Sequence, residues 1–361
     1  MGLFSRKVDA VHFASAPVKA AAGAANVGNF LYYTTGSDEI KALSVPTVSR
    51  SRDLIAGLIG SLELKHYQKV WDSISEEYRE VYLPLEPWME RPDPKVSRSF
   101  FFVNIFSDLF FYGVAYAYVT RRYAPTGGGA QGFPASMTWL PAANMSSIKQ
   151  SGYPQFYGPS DELEFNGQPL DVSNIIQFIS PIEGILKVGA RAINTSIYLD
   201  QAADRYAQLE TVPGYLQQID GEDLSGEDLG SLASAWANAR KQNAIGALSR
   251  QVEFREYKQN PQEVISDQRK YQALEMARLC NIPAYLVSAP TEGASMTYQN
   301  AQQARQDLYL FGARIYLDVI EQTLSADNVL PRGRYVEFNM EDYEGVAQDT
   351  PQSSDNQMEN A

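Results

Sequence analysis

Cysteine and histidine are nearly missing from this chain of 361 residues. It has one cysteine, Cys280, and two histidines, His12 and His66. A single cysteine cannot staple the chain internally, and a lone cysteine at the end of an amphipathic stretch reads as a small core hydrophobe. The two histidines have no ligand-like spacing, so neither a His/Cys metal site nor Cys–His or Ser–His catalysis is expected, and no cofactor is called for. Basic charge is also short. Lys and Arg number 30 against 43 Asp and Glu, a formal net charge of −13. Such a surface repels phosphate, which argues against a protein that grips or reads nucleic acid but not against one past which nucleic acid slides. No G-x-x-x-x-G-K-[ST] phosphate loop occurs.

Long apolar runs are missing too. "SFFFVNIFSDLFFYGVAYAYV" at 99–119 comes nearest to a membrane span, but Asn104, Ser107, Asp108 and Gly113 interrupt it. Its first part has helical periodicity and "GVAYAYVTRRY" alternates as a strand does, so a buried helix followed by a strand is expected rather than a span. The start lacks a secretion signal, and "MGLFSR" puts Arg6 where a myristoylation signal needs Ser or Thr.

What is present divides the chain by texture. Residues 1–45 are rich in Ala, Gly and Ser, with poor apolar periodicity, and read as a flexible arm. "TVSRSRDLIAGLIGSL" has a helical stripe, and "LELKHYQKV" alternates as a strand. Pro84, Pro87, Pro92 and Pro94 mark an irregular connection. Strand-like segments then alternate with turns as far as 180, predicting a mainly antiparallel sheet. Gly127, Gly129 and Gly132 spell G-x-G-x-x-G, but Pro134 and the strand-like "SMTWL" follow, so the loop belongs to a hairpin rather than to a dinucleotide site.

From 184 to 210 a long helical stretch could extend about 40 Å. "YLQQI", an acid-led helix and "VEFREYKQ" form a small α/β insert. Glu222, Asp223, Glu227 and Asp228 gather at the start of the insert's helix, where negative charge suits the dipole, and Trp236 lies further along it. Pro261 opens a second long helix in the N1 position that proline suits. The uncharged-to-acidic loop "SAPTEGASMTYQNAQ" follows, then a helix from about Tyr298 to Leu324, the strand "RYVEFNMEDY" and a polar tail at 345–361 that reads as disordered. Carboxylates such as Glu337, Glu341 and Asp342 on the last strand could run hydrolytic acid–base chemistry, but acidic residues near a chain end are usually just solvated.

The order of these elements and several phrases resemble the portal proteins of tailed bacteriophages, in the HK97-like portal family. The resemblance is carried by Ala277, Arg278, Ile282, Pro283 and Leu286, by Tyr298, Asn300 and Gln303, and by Ile320, Glu321 and Leu324. Weaker echoes are "MGLFSRK", "FYGVAYAYVTR" and "WLPAANM". The resemblance implies an α+β portal-like fold. Residues 46–183 and 299–344 would form an α/β wing, 184–211 and 260–283 a two-helix stem, 212–259 a clip, and 284–298 a tunnel loop. It implies a non-enzymatic subunit of a ring, usually of twelve copies, at one capsid vertex of the virion, assembled in the host cytoplasm. Double-stranded DNA would pass through it without sequence reading. Its partners would be the major capsid protein, the terminase large subunit and a head–tail adaptor, with no membrane. Channel-lining residues would be Thr291, Glu292, Ser295, Met296, Thr297, Tyr298, Gln299 and Asn300. A docking surface on the clip would hold Glu222, Asp223, Glu227, Asp228 and Trp236.

Overall fold

The computed structural model describes residues 38–73, 76–124, 132–150, 158–207, 214–219, 225–242, 252–256, 261–287 and 300–340. A short helix α1 (Asp38–Leu43) leads through Val45 into α2 (Pro46–Ser61), which has Pro46 at its first position. α1 lies inside the stretch read from composition as a flexible arm. It forms because Ala42 is fully buried and Val45 nearly so, a tertiary contact that local composition does not show.

Strands β1 (Leu64–Asp72) and β2 (Glu77–Leu83) form an antiparallel hairpin. The proline-rich connection is irregular except for one helical turn, α3 (Pro87–Glu90), which buries Trp88 and Met89. Helix α4 (Arg98–Tyr112) starts at Ser97, whose side chain accepts the Phe100 N–H at 3.1 Å, and stops at Gly113, with φ 78°. It buries Phe101, Phe102, Phe106, Phe110 and Phe111. At about 1.5–3 kcal/mol per fully buried large side chain, this helix supplies much of the core. The apolar run at 99–119 is therefore a core helix followed by strand β3 (Val114–Arg122). Among the described residues no helix is long and apolar enough to cross a membrane.

β3 pairs with β4 (Pro134–Leu140) on one side and β8 (Ile175–Ile179) on the other, both antiparallel. The glycine-bearing loop thus joins two hairpin strands, as expected, although Gly127 and Gly129 lie outside the described residues. A second sheet of β5 (Met145–Gln150), β6 (Ser160–Phe165) and β7 (Gln168–Leu170) packs its Leu163 with Tyr116, Leu140 and Ile175 in a satellite core.

The long helix expected over 184–210 is broken. A single turn, α5 (Ile185–Val188), ends at Gly189 before α6 (Ala190–Ala207) begins. A Cβ on Gly189 would lie 2.3 Å from Leu279 Cδ2 and 2.8 Å from the Ile185 carbonyl oxygen. Only a glycine lets the chain bend where the second long helix passes. The insert holds β9 (Gly214–Gln218), α7 (Gly226–Gln242) and β10 (Val252–Glu256), and β9 pairs with β10. Helix α8 (Pro261–Leu279) starts at Pro261 as read from the sequence.

The last helix differs from the expected single rod. It consists of α9 (Asn300–Asp307), a π-helical segment at Leu308–Ala313, and α10 (Arg314–Leu324). The wider turn sets Gly312 against Ile55 and Ile282. Strand β11 (Arg334–Phe338) then pairs with β1, Leu64 opposite Phe338 and His66 opposite Val336. This pairing joins an early and a late described segment into one body, with order β11-β1-β2. Glu321 on α10 fastens it by accepting the Phe338 N–H at 2.8 Å.

Candidate functional site

α6 and α8 form an antiparallel pair: Gln272 Nε2 donates to the Ala192 carbonyl at 2.9 Å, and Arg269 meets Asp200 at 2.9 Å. Among the described residues, full burial gathers toward one end of the pair. On α6 it takes in Ile193, Ser196 and Ile197, and on α8 Met276 and Ala277, all beside the sheet-bearing body. Further out the pair has only a narrow seam. Tyr198 is 66% exposed, Tyr271 61% and Val264 45%, so large apolar surface on both helices stays uncovered within one subunit. At 1.5 Å per residue, α6 alone reaches about 27 Å.

The end of α8 shows why the sequence reads "LCNIP". The Asn281 N–H donates to the Arg278 carbonyl and the Ile282 N–H to the Ala277 carbonyl, each at 3.0 Å, while Asn281 adopts a left-handed φ of 54°. This is a Schellman-type closure, in which asparagine tolerates the conformation glycine usually takes. Ile282 is buried after it, and Pro283 prevents the helix from resuming. The Asn281 side chain donates to the Phe311 carbonyl at 2.5 Å, tying the helix end to the π-helical segment.

Beyond it comes the 3₁₀ turn Ala284–Val287; residues 288–299 lie outside the described residues, and α9 follows. Asp307 ties together the two described segments that flank them. One carboxylate oxygen accepts the Tyr285 hydroxyl at 2.6 Å, and the other accepts Gln303 Nε2 at 2.7 Å. Burial and the adjacent Asp307 charge push the Tyr285 hydroxyl up to about 12. Seven residues expected to line a channel, Thr291, Glu292, Ser295, Met296, Thr297, Tyr298 and Gln299, lie outside the described residues. Asn300 is the first residue of α9. The Tyr285–Asp307 bond and the Asn281 tie escape sequence reasoning, because their partners are 22 and 30 positions apart and no periodicity links them.

In the insert, Ser225 caps α7. Its hydroxyl accepts the Asp228 N–H at 3.3 Å and donates to the Asp228 carboxylate at 2.6 Å. The Asp228 carboxylate thus holds the capping hydroxyl itself, rather than the backbone N–H that Glu or Gln accepts in a capping box. Glu227 and Asp228 are exposed in the first helical turn, whereas Trp236 is half-buried with its ring 5.8 Å from that of Phe254 on β10. Trp236 therefore packs the helix on the strand pair as well as facing outward. Glu222 and Asp223 lie outside the described residues.

Two carboxyls stand out elsewhere, the buried Asp108 and the half-buried Glu321. Asp108 accepts Trp139 Nε1–H at 2.7 Å and the Ala142 N–H at 3.0 Å, and burial raises it to about 7. Burial likewise raises Glu321 to about 7. Each holds one element against another. Glu337 takes the Tyr82 hydroxyl at 3.5 Å on an exposed sheet face, and burial with the Glu80 charge raises its carboxyl. Glu341 and Asp342 lie outside the described residues. No group of His, Cys, Asp or Glu suited to a metal ion occurs among the described residues.

A family model described as phage portal protein matches residues 46–358. The chain belongs to the phage portal protein family. This is a family of structural proteins, and the function it implies is that of a portal. The portal fold is found in solved structures as well. A crystal structure of an HK97 family phage portal protein from Corynebacterium diphtheriae is 21% identical, with a TM-score of 0.61 over 82% of this chain and 93% of that one. A chain in the virion of a native gene transfer agent particle is 15% identical, with a TM-score of 0.56 over 86% and 84%. A chain in the neck of such a particle, computed with C12 symmetry, is 14% identical, with a TM-score of 0.55 over 84% of each. No curated protein matches.

Proposed function

We propose that this portal subunit closes into a ring, usually of twelve copies, at one vertex of a phage capsid, and that double-stranded DNA enters and leaves through its central channel. In this reading α6 and α8 are the stem, the β9–α7–β10 insert is the clip, and the sheet-bearing body made from early and late segments of the chain is the wing. The tunnel loop at 284–298, with Gln299 and Asn300 just after it, lines the narrowest part of the channel. Its Ser, Thr, Ala, Gly, Met and Gln side chains suit contact with a moving duplex, since base reading requires groups fixed against base edges. The net charge of −13 favours passage over grip, because each Lys or Arg contact with phosphate adds salt-dependent affinity.

The observation that carries the ring is the uncovered stem. A helix pair with Tyr198, Tyr271 and Val264 all exposed buries them once the same contact repeats around a closed rotation. Supporting it, a chain of similar fold is found in a particle neck of C12 symmetry. The acidic start of α7, with Glu227 and Asp228 and the adjoining Glu222 and Asp223, together with Trp236, is the surface offered to the terminase large subunit on packaging and to a head–tail adaptor afterwards. The wing meets the major capsid protein. Assembly takes place in the host cytoplasm, and the ring stays in the virion.

Light scattering with negative-stain imaging tests the ring directly. Rings of uniform rotational order are expected. A monomer at every concentration and salt, with capsid or scaffold protein added, overturns the reading.

A further inference from the structure

A groove of about 540 Å³ runs between the helix pair and the start of α2. Its walls include Val45 beside α2, Leu199, Ala203 and Tyr206 on α6, and Ile265 and Met276 on α8. The Asp200–Arg269 ion pair also lies on its wall. Its size falls within the range of binding pockets, and its lining is chiefly apolar. Nothing in the described chain fills it.

The described chain begins where this groove lies. α1 starts at Asp38, packs on α5 and α6, and leads within two residues to Val45 on the groove wall. Immediately upstream the sequence reads "NFLYYTTGS", in which Phe30, Leu31, Tyr32 and Tyr33 are the densest apolar cluster of residues 1–37. They lie five to eight positions before Asp38. Extended chain of that length spans at most about 17–28 Å, enough to reach along the groove but little beyond.

We propose that Phe30–Tyr33 of each subunit docks in the stem groove of that same subunit, so that the N-terminal arm braces α6 against α8. The tyrosines suit this role, since a half-open groove covers the ring and leaves the hydroxyl in water. The bracing acts within one subunit and does not depend on a ring.

Cross-linking of the full chain tests it. The single natural cysteine is buried and its thiol is pushed up to about 12, so it competes little for a maleimide. The variant Thr34→Cys with Ala203→Cys, treated with a short bismaleimide, should give a cross-link within one subunit, mapped by peptide mass spectrometry. Adding Leu31→Asp and Tyr32→Asp should slow it about tenfold, the factor expected for losing the burial of one large side chain. The same two substitutions in the natural chain should raise hydrogen exchange in 196–207 and 265–276 by a similar factor, while α4 keeps its protection. Equal cross-linking rates, cross-links mainly between subunits, or unchanged exchange along both helices would each overturn the proposal.

Discussion

The Tyr285 hydroxyl and the Asp307 carboxylate meet at 2.6 Å and join the 3₁₀ turn after α8 to the end of α9. The bond ties together the two described segments on either side of residues 288–299. Removing the hydroxyl with Tyr285→Phe should cost about 0.5–1.5 kcal/mol locally, the usual net worth of one such bond. Hydrogen exchange at 284–287 and 303–307 should rise, and protease cleavage between 287 and 300 should speed up several-fold. The bond should also fail in alkali. Tyr285 holds its proton to about 12 in the folded chain, above its ordinary 10.0. The unfolded chain therefore loses that proton first, and the stabilisation is lost as pH rises from 10 through 12. Tyr285→Phe should lack that dependence, and an unchanged cleavage rate in the variant would show that other contacts hold the two segments together.

Asn281 combines a left-handed backbone with a side-chain tie to Phe311. Two substitutions separate these roles. Asn281→Gly keeps the backbone at ease and loses the tie, and should cost about 1 kcal/mol. Asn281→Ala loses both and should cost about 1 kcal/mol more, because alanine resists positive φ. Denaturant melts that place the two variants level would remove the backbone part of this account.

At Gly189 a Cβ would strike Leu279 Cδ2 at 2.3 Å and the Ile185 carbonyl at 2.8 Å. Gly189→Ala should therefore destabilise by about 1–3 kcal/mol, the range for overpacking. Adding Leu279→Ala should recover part of the loss, since one clash partner is a movable side chain and the other is backbone. Strictly additive costs in the double variant would mean the two positions are not in contact.

Several features of the fold were readable from residue patterns alone. The helix at 98–112, the strand after it, the proline-initiated α8 and the hairpin strands around the glycine loop all follow from periodicity and capping signals within a dozen residues. What stayed hidden depends on partners far away in sequence. β11 finds β1 some 270 positions earlier, and α1 forms only because Ala42 and Val45 are covered. The break at Gly189 and the π-helical turn at Leu308–Ala313 answer to neighbouring helices, not to local propensity. The candidate site was legible as an order of elements. Its clamps, Tyr285–Asp307 and Asn281–Phe311, were not, since a hydrogen bond between distant polar residues leaves no periodic trace.

Asp108 and Glu321, each raised to about 7 by burial from ordinary values of 3.8 and 4.5, make the body sensitive to pH. The unfolded chain releases both protons near pH 4, whereas the folded chain holds them to about 7. Across that window the folded state binds more protons, so stability falls as pH rises from 4 through 7. Glu39 faces Asp108, and Asp318 and Glu337 face Glu321, all adding repulsion in the same direction. Asp108→Asn should flatten this slope by about half. Its side-chain oxygen can still accept from Trp139 and Ala142, which both approach the same carboxylate oxygen. Glu321→Gln should remove the other half in the same way, keeping the Phe338 N–H bonded. Thermal melts of the two single variants and the double variant at pH 4, 6 and 8 separate the contributions. If the double variant keeps the natural slope, groups other than these two set the pH dependence.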